Sequence, residues 1–186
     1  MPRIEPLAPP YPAPIGDALR RWMPPGVTQE PLTLFRTLYR HPELASRMFP
    51  LGAGLLAHGL LPAVDREIVI ARVTARGGCG YEWGVHASVF AEQVGLADDQ
   101  LRATTEADAV ASAAWLPRQV ALLGAVDELH DSAQLSESAW TALRAHYDDA
   151  QLVEFLVLAG WYRTISYLAN GLLLARESWA TPFPAR

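Results

Sequence analysis

Glu82 and His86 stand four residues apart in the segment CGYEWGVH, with Cys79 seven residues before the histidine and Glu67 twelve residues before the cysteine. On a helix, a carboxylate and an imidazole at i and i+4 reach each other. With a thiol and a second carboxylate they can pass protons without a metal or an organic cofactor, so neither is expected here. Plainer roles exist for each: a Glu–His pair at this spacing often only stabilises a helix, and a single buried cysteine often only packs. Convergence favours chemistry. At ~100° per residue, Cys79, Trp83, His86 and Phe90 fall on one stripe and Glu82 at its edge, with Tyr81, Ser88 and Glu92 opposite. Polar groups on an apolar face need partners to offset lost hydration. Trp83 and Phe90 are the candidate walls of a substrate pocket.

Two helices must position these groups. In the segment before the cysteine, Asp65, Arg72 and Arg76 cluster on one side and predict a wet face. Glu67 points the other way, with Ala63, Val64, Ile70, Ala71 and Thr74, where the pattern asks for an aliphatic residue. Gly77 and Gly78 supply a turn. An antiparallel hairpin then puts Glu67 ~15 Å before the turn and His86 ~12 Å after it, at ~1.5 Å per residue, so the two side chains can meet. A partly desolvated cluster of this kind moves pKa values toward operating pH.

The surrounding chain reads as all-α. Helices are predicted near 31–40, 42–58 (bent or broken at Pro50), 63–76, 79–94, 98–106, 116–131, 136–146 and 149–175. Pro31 and Pro42 suit first-turn positions, Asp65, Asp98, Ser136 and Asp148 suit N-caps, and Gly77 and Gly95 suit helix ends. The first 31 residues hold nine of the fifteen prolines and form a mostly extended arm, with a short helix over 15–23. That divides the chain into an arm over 1–30 and one helical domain over 31–186. The arm is either a disordered tail or, given Ile4, Leu7, Tyr11, Ile15, Leu19 and Trp22, a segment docked on a partner subunit.

At 186 residues the chain can bury a sizeable core. Its net charge of -5 is spread without a basic cluster, which sets nucleic acid aside. Glu154, Arg163 and Asn170 interrupt the most apolar stretch, 152–175, so it reads as a buried core helix and not a membrane span. One cysteine and no N-terminal leader pattern predict a cytoplasmic protein with a free thiol. His41, His58, His130 and His146 lie near predicted helix ends, where capping or surface roles are the default. Arg163 and Asn170, seven apart, share a face that lines a pocket or holds satisfied core polar groups.

The run DREIVIARVTARGGCGYEWGVH, within a stretch from about His41 to Ala107, resembles the core hairpin of the carboxymuconolactone decarboxylase and alkylhydroperoxidase D superfamily. The resemblance implies an AhpD-like helical bundle around that hairpin, assembled as a dimer, trimer or hexamer, with the arm and the last helix at subunit contacts. In the peroxidase branch a Cys-x-x-Cys precedes the histidine by three residues, and an upstream glutamate completes a relay. Here Cys79 matches the first cysteine, Glu82 stands at the second, His86 matches the histidine and Glu67 the glutamate. A chain with glutamate there lacks that branch's dithiol cycle.

Three functions follow as expectations. The first is cofactor-free decarboxylation or isomerisation of a small carbonyl or lactone substrate, a decarboxylase-like lyase activity. In it His86 and Glu82 move a proton and Glu67 orients His86, an imidazole near neutral pKa suiting the task. The second is hydroperoxide reduction of peroxiredoxin type by Cys79 as a single thiol, favoured beside a histidine and a helix N-terminus. The third is a non-catalytic oligomeric module whose polar cluster sets helix register. A mixed metal site from Glu67, Cys79, Glu82 and His86 matches no recognised ligand signature.

Overall fold

The computed structural model describes residues 1–23 and 28–184. Among them the fold is all-helical. The helices are α1 (Ala13–Arg21), α2 (Thr33–Leu38), α3 (Pro42–Ala57), α4 (Ala63–Arg76), α5 (Gly80–Val89), α6 (Asp98–Ala103), α7 (Pro117–Ser132), α8 (Glu137–Arg144) and α9 (Asp149–Gly171). No helix of the described residues is long and apolar enough to cross a membrane.

Capping explains most boundaries. Pro42 occupies the first turn of α3, behind the His41 imidazole, which accepts from Leu44 N–H. The Ser136 and Asp148 side chains accept the N–H groups of Ala139 and Gln151 at the starts of α8 and α9. Of the bend or break expected at Pro50, the break does not occur: α3 continues through it, because a proline costs its own N–H bond but leaves the rest of the ladder. Asp98 is the first residue of α6 and not its cap, which is Ala97.

Helix α4 is the centre of the bundle, packed by α5, α7 and α9. Val69, Ile70 and Val73 join Leu122, Val126, Phe155 and Leu158 in the largest apolar cluster, while Ile68 packs with Leu96, Ala109 and Leu123. With neighbours all round, α4 has no wet side, and here the periodicity reading fails. Asp65 does not cap the helix, whose cap is Pro62, and neither Asp65 nor Arg72 reaches water. The Asp65 carboxylate accepts from Arg118 at 2.7 Å and Tyr147 at 2.9 Å. Arg72 makes two 2.7 Å bonds to Asp127 and donates to the carbonyls of Thr104, Glu106 and Ala107. Paired in this way, the buried charges tie α4 to α7 and to the segment after α6.

Helix α9 is buried on one face only. Leu152, Phe155, Leu158, Tyr162 and Ile165 point inward, while Val153, Leu156, Val157 and Tyr167 are exposed, so it is not the fully buried helix its composition suggests. The N-terminal arm lies on its own chain: Arg3 N–H donates to Leu172 O, Leu7 N–H to Arg36 O, and Arg40 to Glu5 O. Leu7, Tyr11, Ile15 and Trp22 pack against the cluster of Leu19, Leu38, Tyr39 and Ala45.

α9 ends at Gly171, and Leu173 turns the chain through the left-handed region at φ 53°. The tail then crosses α5. Glu177 accepts from Tyr81 Oη at 2.7 Å and Thr33 N–H at 2.6 Å, and Thr181 N–H donates to Ser88 Oγ at 2.9 Å. Phe183 packs on Trp83 with ring centroids 5.3 Å apart. A Cβ on Gly84 would stand 2.2 Å from the Thr181 carbonyl oxygen, and one on Gly80 would stand 3.2 Å from the Phe183 ring. Small residues at i and i+4 thus make the track that the tail fills. For Gly84→Ala we expect the tail to detach. Tryptic cleavage after the exposed Arg176 should accelerate, while the gain of ~1 kcal/mol in helix propensity offsets part of the lost packing in urea unfolding.

Candidate active site

The α4–α5 turn sets the geometry. α4 stops at Gly77, Gly78 takes φ 62°, and Cys79 N–H donates back to Thr74 O at 2.8 Å, with Cys79 as the N-cap of α5. The hairpin brings Glu67 and His86 together: His86 Nδ1 lies 2.7 Å from Glu67 Oε2. The carboxylate is 2 % exposed and the imidazole 5 %. Arg66 Nε donates to Glu67 Oε1 at 3.1 Å while its NH1 holds the Leu56 carbonyl.

The far side of the imidazole meets two further groups. Glu82 Oε1 is 3.5 Å from Nε2, and the Tyr162 hydroxyl, from α9, is 3.1 Å from it. Phe90 stacks at a tilt on the imidazole at 4.9 Å, and the Tyr162 ring stands edge-on at 5.1 Å. Glu82 Oε2 is buried without a hydrogen-bond partner.

Burial opposes charge on His86, but the Glu67 carboxylate, by charge and hydrogen bond, outweighs it with help from Glu82, and the pKa is pushed up to about 9. The ring is therefore favoured as an imidazolium at neutral pH, above the near-neutral pKa that the sequence reading expected. In return, burial would raise Glu67, yet His86 and then Arg66 hold it below the usual carboxylate range.

The other candidates sit around this pair. Cys79 is fully buried, and burial pushes its thiol up, against the favourable helix N-terminus. Trp83 is buried and spends its N–H on Thr104 Oγ1 at 3.0 Å. Tyr81, expected on the side of α5 opposite the stripe, is buried in its own chain, where its hydroxyl accepts from Leu34 N–H and donates to Glu177. Arg163 and Asn170 do not form a pocket: Arg163 contacts His130 and Tyr167, and Asn170 donates to Gly77 O. Two surface concavities, one between α8 and α9 at His146 and one beyond α5 at Ser88 and Glu92, include none of the four central residues. Among the described residues no group of three His, Cys, Asp or Glu side chains is arranged to hold a metal ion.

Sequence reasoning missed Tyr162 and Arg66. The signal for Tyr162 was present, because its hydroxyl stands on the inner stripe of α9, where the other buried residues except Ser166 are apolar. No pattern marks Arg66.

The ion pair makes stability depend on pH. His86, raised above its ordinary 6.5, contributes stability that is full below that pH and lost as pH rises through about 9. Glu67, lowered from 4.5, contributes stability present above that pH and lost as pH falls through its folded value. The chain contains no lysine, so little else titrates on the alkaline side. We expect the urea midpoint to fall from pH 6.5 through about 9 in the wild type, and Glu67→Gln to abolish that slope. An equal slope in both proteins would remove the ion pair.

The chain's likenesses bear on this hairpin. Residues 42–128 match the model of the carboxymuconolactone decarboxylase family. No curated protein shows a significant match to the sequence. A crystal structure of an uncharacterized peroxidase-related protein from Silicibacter sp. TM1040 shares the fold with TM-score 0.80 at 15% identity, over 95% of this chain and 92% of that one. Another, of a protein of unknown function from Agrobacterium tumefaciens with the suggested name antioxidant defence protein AhpD, gives TM-score 0.67 at 22% identity, over 75% and 94%. Residues 42–128, which carry Glu67, Cys79, Glu82 and His86, are thus similar to the carboxymuconolactone decarboxylase family, and the chain shares its fold with both solved structures.

Proposed function

We propose that this chain is an acid–base enzyme that moves a proton at a carbon next to a carbonyl, in decarboxylation or isomerisation of a small lactone-like substrate. The Glu67–His86 bond carries the reading, because it fixes a proton on Nδ1 and leaves Nε2–H of a buried imidazolium facing Glu82 and Tyr162. His86 then acts as the acid that quenches an enolate, the charge left when CO2 departs or when an α-proton is removed. Glu82, with one oxygen free of partners, is the proton acceptor. Glu67 orients and charges His86.

Homo-oligomerisation belongs to the same proposal, since Val153, Leu156, Val157 and Tyr167 leave an apolar face on α9 that a second copy would cover. A monomeric mass in sedimentation would remove it.

A second reading, hydroperoxide reduction by Cys79, draws on the names of the two structural relatives and on the place of the thiol at the start of α5. In that reaction the thiolate takes the terminal peroxide oxygen, an alcohol leaves, and an external thiol reduces the sulfenic acid. The buried, raised thiol speaks against it.

With a lactone that the wild type turns over, His86→Ala and Glu82→Ala should each lower the rate by ~10²–10⁴-fold. Wild-type rate should fall as pH rises through about 9, where the acid loses its proton. Unchanged turnover in either variant rejects the assignment. Hydroperoxide consumption by wild type and Cys79→Ser decides the second reading, and equal rates eliminate the thiol route.

A further inference from the structure

Two unmade hydrogen bonds lie side by side next to His86. As an imidazolium the ring donates Nδ1–H to Glu67, and its Nε2–H has the Tyr162 oxygen at 3.1 Å as its nearest acceptor, with Glu82 Oε1 at 3.5 Å. A tyrosine that accepts this bond keeps its own O–H to donate. That hydroxyl has no second partner among the described residues, and Tyr162 is 3 % exposed. Glu82, 7 % exposed, holds Oε2 out of water with no donor. A free donor and a free acceptor buried against one imidazole destabilise the empty site and suit a ligand that fills both.

We infer that Tyr162 is a catalytic residue, the outermost member of a Glu67–His86–Tyr162 relay whose hydroxyl seats the substrate's carbonyl oxygen while Glu82 Oε2 faces the neighbouring C–H. This rests on the acid–base reading above and assigns its proton path. As the C–H bond breaks, Glu82 takes the proton and the C–H pair becomes the C=C of an enol. The Tyr162 hydroxyl proton passes to the carbonyl oxygen, and His86 Nε2–H restores the tyrosine. Reversal at the same or a conjugated carbon returns both protons, so no external oxidant or reductant takes part. The groups facing His86 are Glu67 with Arg66 behind it on α4, Glu82 on α5 and Tyr162 on α9, so one hydroxyl can be removed without touching the charges.

The test uses the full chain as wild type and Tyr162→Phe, which keeps the ring edge-on to His86. Two readouts are followed: the NMR titration of the His86 ring, and deuterium uptake from D2O into the unsaturated lactone α-angelica lactone. We expect the His86 midpoint to drop by ~1 pH unit in Tyr162→Phe, and exchange to slow by at least ~10-fold with loss of the alkaline limb of its pH profile. An unmoved midpoint in folded Tyr162→Phe, or equal exchange in both proteins, overturns the inference. If the wild type exchanges nothing while the midpoint still moves, the relay stands and the proposed reaction class falls. Should Tyr162→Phe not fold, wild type grown with 3-fluorotyrosine replaces it: a shifted His86 midpoint supports the relay and an unshifted one overturns it.

Discussion

A carboxylate and an imidazole cannot both be taken out of water unless each neutralises the other, and this constraint organises the middle of the molecule. Glu67 and His86 meet at 2.7 Å between α4 and α5, and each is charged because the other is. The turn at Gly77 and Gly78 sets the register that lets them meet, and the left-handed Gly78 is the residue there that a side chain would strain. Arg66 on one side and Tyr162 on the other complete the surroundings, so the Nδ1 proton is held from α4 while Nε2 faces a hydroxyl from α9.

The same need to pair buried charge recurs along α4. Asp65 and Arg72 lie on the side away from Glu67 and are satisfied by α7, by Tyr147 and by carbonyls of the segment after α6. One helix therefore holds three buried ionic groups, and its neighbours are positioned by bonds as well as by the apolar contacts of Leu122, Phe155 and Leu158. A scaffold pinned in this way keeps Glu67 from moving, which is what a group that orients another must have.

On the outer side of α5 the tail uses Gly80 and Gly84 as a track and sets Phe183 on Trp83. The tail thus covers the face of α5 that Gly80, Gly84 and Ser88 present. Trp83, expected to be a pocket wall, is instead wedged between that tail and Thr104, while Phe90 lies against the His86 ring itself. Of the two aromatics only Phe90 touches the group to which the proposed chemistry belongs.

Local sequence determined the helices, because proline, glycine and the Ser136 and Asp148 caps act within one turn of themselves. It also determined that Glu67, Glu82 and His86 fall on inward faces, since a 3.6-residue period places a residue relative to its own helix. Tertiary structure alone decided what covers each face. Asp65 and Arg72 were misread as wet because periodicity assumes that one side of a helix meets solvent, and α4 has no such side. The ionisation of His86, the place of Tyr162 ninety-five residues after Glu67, and the tail across α5 likewise arise from distances between segments far apart in sequence. No local rule encodes such distances, for they are set by how the whole bundle packs.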